Sequence, residues 1–177
     1  GIREKFGPNV KIRASKGCAF GFGALPPIPT ENLLPPDGSG DRGLKGEYFD
    51  NPTLSGKPVV VRRDRRLHFE WQMGSPDPKI PVERFSARWT GRIRPSVSGI
   101  YRLGASTDDG VRLFLDGKLL IDSWFDRGAT LDLVTIPLEA GRSYDLKVEY
   151  YENVGWTHAS LVWELQQKED PLIAEAV

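Results

Sequence analysis

Residues 106–124 read STDDGVRLFLDGKLLIDSW, and their pattern decides the fold. Val111, Leu113 and Leu115 share one parity while Arg112 and Asp116 share the other, the period of a half-buried strand. Asp116-Gly117 supplies the two positive φ values of a tight turn, so a second strand follows at once. The stretch is a β-hairpin with an acidic loop, Asp108-Asp109-Gly110, at one end.

Working outward, the same alternation recurs on both sides. Upstream, LKGEYF, KPVVVRR and RLHFEW give short strands between Pro, Gly and Asp breaks. RFSARWTGRIR places Phe85, Ala87, Trp89 and Ile93 on one face, and IYRLGAS alternates Tyr101, Leu103 and Ala105. Downstream, ATLDLVTIPLEAG shifts its apolar parity between Leu133 and Val134, which predicts a bulge. Tyr144, Leu146, Val148 and Tyr150 share a face in SYDLKVEYY, as do Ala159, Leu161, Trp163 and Leu165 in ASLVWEL. Trp89 and Trp163, on clean apolar faces, belong to the core. Short strands and turn signals at this spacing predict an all-β antiparallel sandwich over 43–165.

The flanks have a different character. GIREKFG reads as the end of a helix closed by Gly7-Pro8, and VKIRASKG as a strand, so 1–23 looks like an α/β fragment. Residues 24–42, with five prolines among polar residues and glycine, are expected to be an extended linker. In the tail 166–177, Asp170 caps and Pro171 opens a helix. A sandwich between two α/β pieces is the pattern of a domain inserted into a host, whose entry and exit must lie close together. With no initiator methionine at Gly1, the chain is expected to be a piece of a longer protein.

Composition removes several function classes. The 24 basic and 24 acidic side chains cancel, so no global field draws nucleic acid or an anionic membrane. No apolar run reaches the roughly 18 residues of a membrane span. The single cysteine, Cys18, excludes an internal disulfide framework. His68 and Glu70 alternate on one face, but His68 and His158 are the only histidines, too few to predict a zinc site. Arg62, Arg63, Arg65 and Arg66 form a basic cluster interrupted by Asp64, read as a charged strand edge that blocks edge pairing. No phosphate-binding glycine loop or serine-nucleophile elbow is present.

Residues 43–165 resemble the protective-antigen-type (PA14) β-sandwich domain. The resemblance is carried by GLKGEYFDN, by RWTGRIRPSVSGIYRLGASTDDGVRLFLDGKLLIDSW and by YDLKVEYYENVGWTHASLVWEL. GIREKFGPNVKIRASKGC and EDPLIAEAV are similar to the second domain of family 3 glycoside hydrolases, in which such modules are found inserted. The resemblance implies a β-glucosidase-type parent with this module beside its active-site pocket. The catalytic nucleophile and acid/base of that family lie on other parts of the chain, and neither motif is present here, so no catalytic residue is assigned. Implied partners are an oligosaccharide or glycoside and the rest of the parent hydrolase chain, with no nucleic acid and no membrane. An extracellular or periplasmic parent is favoured.

The residues leave three accounts of Asp108 and Asp109. In the related sugar-binding modules of fungal adhesins, two such aspartates joined by a cis peptide hold calcium, which binds sugar hydroxyls. Calcium takes six to eight oxygens, so further ligands are needed, for which Glu152 and Asn153 are candidates. Alternatively, Asp108 caps a turn and Asp109-Gly110 makes a reversal. A hydrolytic carboxylate pair is the third account. Sugar or pocket contact is assigned to Asp108, Asp109, Trp124, Phe125, Asp126, Arg127, Asn153 and Trp156. A pyranose stacks its C–H face on flat rings while its hydroxyls bond polar neighbours. Packing is the competing role for the three aromatics. Two functions follow: a specificity module of a hydrolase, or an autonomous carbohydrate-binding module, calcium-dependent in one version.

Overall fold

A computed structural model describes residues 25–166. The α/β readings of 1–23 and of the tail lie outside the described residues, apart from Gln166 at its start. Two antiparallel sheets face each other. The larger has the order β3 (Val60–Asp64), β2 (Leu44–Phe49), β5 (Phe85–Ile93), β10 (Tyr144–Glu152), β7 (Gly110–Leu115), β8 (Lys118–Ser123), with β1 (Leu33–Leu34) also pairing β5. The smaller has the order β4 (His68–Gln72), β11 (Thr157–Leu165), β6 (Gly99–Asp108), β9 (Thr130–Leu138). Among the described residues no helix is long and apolar enough to cross a membrane.

The alternating residues are the ones that meet between the sheets. Leu44, Ala87, Trp89, Val111, Leu113, Val148 and Tyr150 from one sheet and Leu103, Ala105, Ala159 and Leu161 from the other are buried in one core. Phe69, Trp71, Phe85, Trp89 and Tyr150 form an aromatic chain through it, with centroids 4.7 Å apart for Phe69–Trp71 and 6.2 Å for Trp89–Tyr150. The β7–β8 hairpin turns on Asp116 (φ 48°) and Gly117 (φ 77°), the pair that the sequence selects.

Beneath Trp89 lies a buried polar knot. Asp64 accepts hydrogen bonds from Tyr48 Oη (2.5 Å), Trp89 Nε1 (2.8 Å) and Arg62 Nε (2.8 Å). Arg62 also reaches the Pro76 carbonyl and lies over the Tyr48 ring. β3 is an edge strand, as the basic cluster suggests, yet Arg62 faces this knot rather than solvent.

Two expectations change. The described part of 24–42 is not a free linker. Pro27 bridges Val162, Ile28 N donates to the Leu161 carbonyl, and Leu33 pairs with Ile93, with Ile28 and Leu33 buried in the core. Proline favours extended backbone, and extended backbone can still pair through its remaining groups and bury the side chains between the prolines. Nor does β9 contain a bulge: its register with β6 is unbroken from Gly99↔Leu138 to Thr107↔Thr130. Val134, Ile136 and Leu138 share the core-facing parity, and the two leucines that suggested a shift, Leu131 and Leu133, lie half-buried on the other face. Register shifts occur instead at Leu113/Phe114 and Thr157/His158.

Candidate functional site

One end of the sandwich collects the long connections. Segments 50–59, 73–84, 124–129 and 153–156 leave the strands at the same end as the β6–β7 corner. The other end carries the short β7–β8 turn and both ends of the described chain. Three non-glycine residues with left-handed backbone, Leu54 (φ 59°), Gln72 (φ 61°) and Arg84 (φ 59°), sit at the long-loop end. Such strain persists only where surrounding structure enforces it, and it concentrates at functional sites.

The stretch read as an acidic loop is a single-residue corner. β6 ends at Asp108 in the smaller sheet and β7 begins at Gly110 in the larger, so Asp109 alone carries the chain between sheets. Gly110 is required because a Cβ there would strike the Tyr151 ring. No peptide bond among the described residues is cis, so the Asp108–Asp109 bond is trans.

Asp109 ties two loops to this corner. Its Oδ1 accepts from Arg127 N (2.9 Å) and its Oδ2 from Asn153 N (2.8 Å). Arg127 folds over it, donating Nε to the Asp109 carbonyl (3.2 Å) and pairing with Thr107 and Asp132. Asp126 spans the same loops, accepting from Tyr151 Oη (2.6 Å) and Asn153 Nδ2 (2.8 Å). Asp109, Asp126, Arg127 and Asn153 are therefore brought into one network.

Glu152 completes a carboxylate cluster. One oxygen each of Asp108, Asp109 and Glu152 lie within 4.8 Å of one another, and all three residues are buried. The Tyr150 hydroxyl lies 2.6 Å from the Asp108 carbonyl and 2.8 Å from Glu152 Oε2, while Glu152 Oε1 and the Thr157 hydroxyl are buried without a partner. Burial, and then the charges of Asp109 and Asp108, push the Glu152 carboxyl up to about 7. Burial and the neighbouring Asp109 also raise Asp108. A hydroxyl has one proton, so a protonated Glu152 donating to Tyr150, with Tyr150 donating to the Asp108 carbonyl, satisfies both contacts. A signal for Glu152 exists in the sequence: the inward parity of Tyr144, Leu146, Val148 and Tyr150 continues to it.

The aromatics separate into two kinds. Trp124 is half-buried, its ring 4.8 Å from Tyr151 and its face 4.5 Å from the Arg112 guanidinium, so it packs. Phe125 and Trp156 are 57% and 52% exposed, and Val154 beside Trp156 is also exposed. The 73–84 loop adds exposed Met73 and Val82, which sequence reading did not single out. Arg84 N bonds the Asn153 carbonyl (3.0 Å), joining that loop to the network.

The donor chemistry fits a small hard cation. All three clustered groups offer oxygen, and one carboxylate oxygen is orphaned and buried. Asp108, Asp109 and Glu152 are the residues that would hold calcium. Asn153 contributes its backbone N–H to Asp109 and its amide to Asp126.

The sequence profile of the PA14 domain matches residues 40–176. The chain is 46% identical over 129 residues to anti-sigma-I factor RsgI3 of Acetivibrio thermocellus, covering 72% of this chain and 20% of that protein. It is 35% identical over 165 residues to probable β-glucosidase J of Emericella nidulans, covering 85% of this chain and 18% of that protein. Among solved structures, the β-glucosidase of Kluyveromyces marxianus in complex with glucose superposes with a TM-score of 0.68 at 21% identity, over 89% of this chain and 21% of that one. The chain thus spans about a fifth of the length of each of these relatives.

Proposed function

The chain belongs to the PA14 domain family, and from that premise we propose that it is a non-catalytic module that contacts carbohydrate within a larger protein. The observation that carries this reading is the pair of exposed rings, Phe125 and Trp156, on the two loops that the Asp126–Asn153 hydrogen bond ties together. Exposed aromatics beside fixed polar groups suit a pyranose, which offers an apolar face and a rim of hydroxyls. Asp109 and Asp126 hold the two loops in place, and rigid loops lose less entropy on binding.

The finer reading is a substrate-specificity module of a family 3 glycoside hydrolase, in a β-glucosidase-type parent that hydrolyses terminal O-glycosidic bonds. Two observations support it. Similarity to the β-glucosidase covers 85% of this chain, against 72% for the anti-sigma factor. In addition, the antiparallel Pro27–Val162 bridge sets the start and end of the described unit side by side, as insertion into a host requires. In this reading 1–23 and 166–177 belong to the host, and the loop end faces the parent's substrate.

A second reading, an autonomous carbohydrate-binding module that uses calcium, is favoured by a different observation. Asp108, Asp109 and Glu152 bring three carboxylates together with one buried oxygen lacking a hydrogen-bond partner. The similarity to an anti-sigma factor is to a protein not named as a hydrolase. Bound calcium would supply positive charge to the Asp108–Asp109–Glu152 cluster and draw its carboxylates together.

Calorimetry of this chain with a panel of gluco- and xylo-oligosaccharides, in calcium and in chelator, tests both readings. Heat under both conditions that is lost in Trp156→Ala supports contact through the rings. Heat only in calcium supports the second reading, and no heat with any sugar removes both as binding functions of the isolated module.

A further inference from the structure

Beside the two loops that carry the exposed rings runs segment 73–84, which is tied into a definite shape. Ser75 Oγ donates to the Ile80 carbonyl (2.6 Å) and accepts from Asp77 N (3.3 Å). Ile80 N donates to the Asp77 carbonyl (2.9 Å), and the Ile80 side chain is buried in the core. Both ends of the segment meet the loop of Trp156. Gln72 pairs with Thr157, so Met73 and Trp156 leave one strand pair together, and Arg84 N donates to the Asn153 carbonyl (3.0 Å). Met73 is 64% and Val82 43% exposed, so the segment offers apolar side chains beside the Trp156 loop.

Between those ends the segment is fastened by Arg62 of β3. Its Nη1 donates to the Pro76 carbonyl (2.8 Å), its Nε to Asp64 Oδ1 (2.8 Å) and its Nη2 to Tyr48 Oη (2.9 Å). The guanidinium carbon lies 4.5 Å from the Tyr48 ring centroid and 5.9 Å from that of Phe69. A planar fork with three nitrogens meets three partners at once in fixed directions, whereas an ammonium has one nitrogen to share among them. The Asp64 knot thus orients Arg62, and the positive charge makes its bond to the Pro76 carbonyl stronger than a neutral one.

We propose that Arg62 is a positioning residue for the carbohydrate-contacting end: through the Pro76 carbonyl it holds segment 73–84 where Met73 and Val82 extend the surface begun by Trp156. The proposal rests on the carbohydrate reading above. Arg62 acts without touching the sugar, by sparing the binding step the entropy of ordering a loose loop. One side chain thereby joins the buried knot to the binding end.

Arg62→Lys in the whole chain tests this role, with Met73→Ala as its counterpart. Lysine keeps a positive charge beside Asp64 but cannot also hold the Pro76 carbonyl. In Arg62→Lys the Gly74, Asp77 and Ile80 amides should exchange with solvent about tenfold faster while β5 and β10 stay protected. Its affinity for the gluco- or xylo-oligosaccharide that the wild type binds should fall about fivefold. Met73→Ala should weaken the same binding by about threefold and leave those amides as slow as in the wild type. The proposal is overturned by unchanged exchange of the segment's amides, by loss of protection throughout the core, or by a loosened segment with undiminished affinity. If the wild type binds no oligosaccharide, the carbohydrate reading itself falls and this role falls with it, an outcome distinct from those three.

Discussion

Asp64 and Glu152 are both buried carboxylates, and the fold treats them in opposite ways. Asp64 accepts from Tyr48, Trp89 and Arg62, so its charge is neutralised and its oxygens are engaged. Glu152 has the Tyr150 hydroxyl on one oxygen and no hydrogen-bond partner on the other, with two aspartates nearby. A satisfied network fixes one structure, whereas a partly satisfied one awaits a proton, a water or an ion. The contrast separates the part of this module that holds it together from the part that is free to act.

The comparison can be broken most severely at the satisfied site. Asp64→Ala leaves Arg62, Tyr48 and the Trp89 N–H without their acceptor and should cost about 3–5 kcal/mol in urea unfolding. A loss below about 1 kcal/mol would show that the knot is not structural.

The corner between the sheets is next. Asp109→Ala removes the acceptor of the Arg127 and Asn153 amides and should cost about 2–3 kcal/mol. Its signature is local: those two amides should exchange faster with solvent while the core strands stay protected.

Glu152 makes the opposite prediction from an ordinary stabilising carboxylate. Its folded pKa of about 7 lies above the unfolded 4.5, so the native state binds the extra proton. Its contribution is fully present below about pH 4.5 and is lost as pH rises to about 7, on the order of 2 kcal/mol in chelator. Glu152→Gln should flatten that slope. A wild-type slope that persists in the variant would assign it to other groups.

The smallest effect on stability is expected at the exposed rings. Trp156→Ala should change unfolding by less than about 0.5 kcal/mol, yet weaken sugar binding by roughly fivefold, the loss of about 1 kcal/mol of stacking. Equal losses in stability and affinity would place the ring in the packing instead.

Much of the satisfied half was legible in the sequence. Period-two alternation identified the strands, the Asp116-Gly117 pair fixed the hairpin, and clean apolar faces located Trp89 and Trp163 in the core. What escaped depends on register between distant strands, which composition does not encode. Asp109 was visible as an acid but not as the single residue that carries β6 into β7 across the sheets, and Asp126 was visible without its partners Tyr151 and Asn153. The proline-rich stretch contains a short 3-10 turn at Thr30–Asn32, and neither that turn nor its pairing with β11 and β5 could be read from its own residues. Trp124 showed the limit of residue type: only the neighbours Tyr151 and Arg112 distinguish it from the exposed Trp156.

The strap at Pro26–Ile28 has a mechanical consequence. It runs antiparallel to the last strand, and both flanks leave from the same end of that pair. Tension drawn through the flanks would open its hydrogen bonds one after another, like a zipper, rather than shear them together. The strap should therefore yield first and at low force, acting as a short extensible leash. The loops at the far end would keep their arrangement while the attachment stretched.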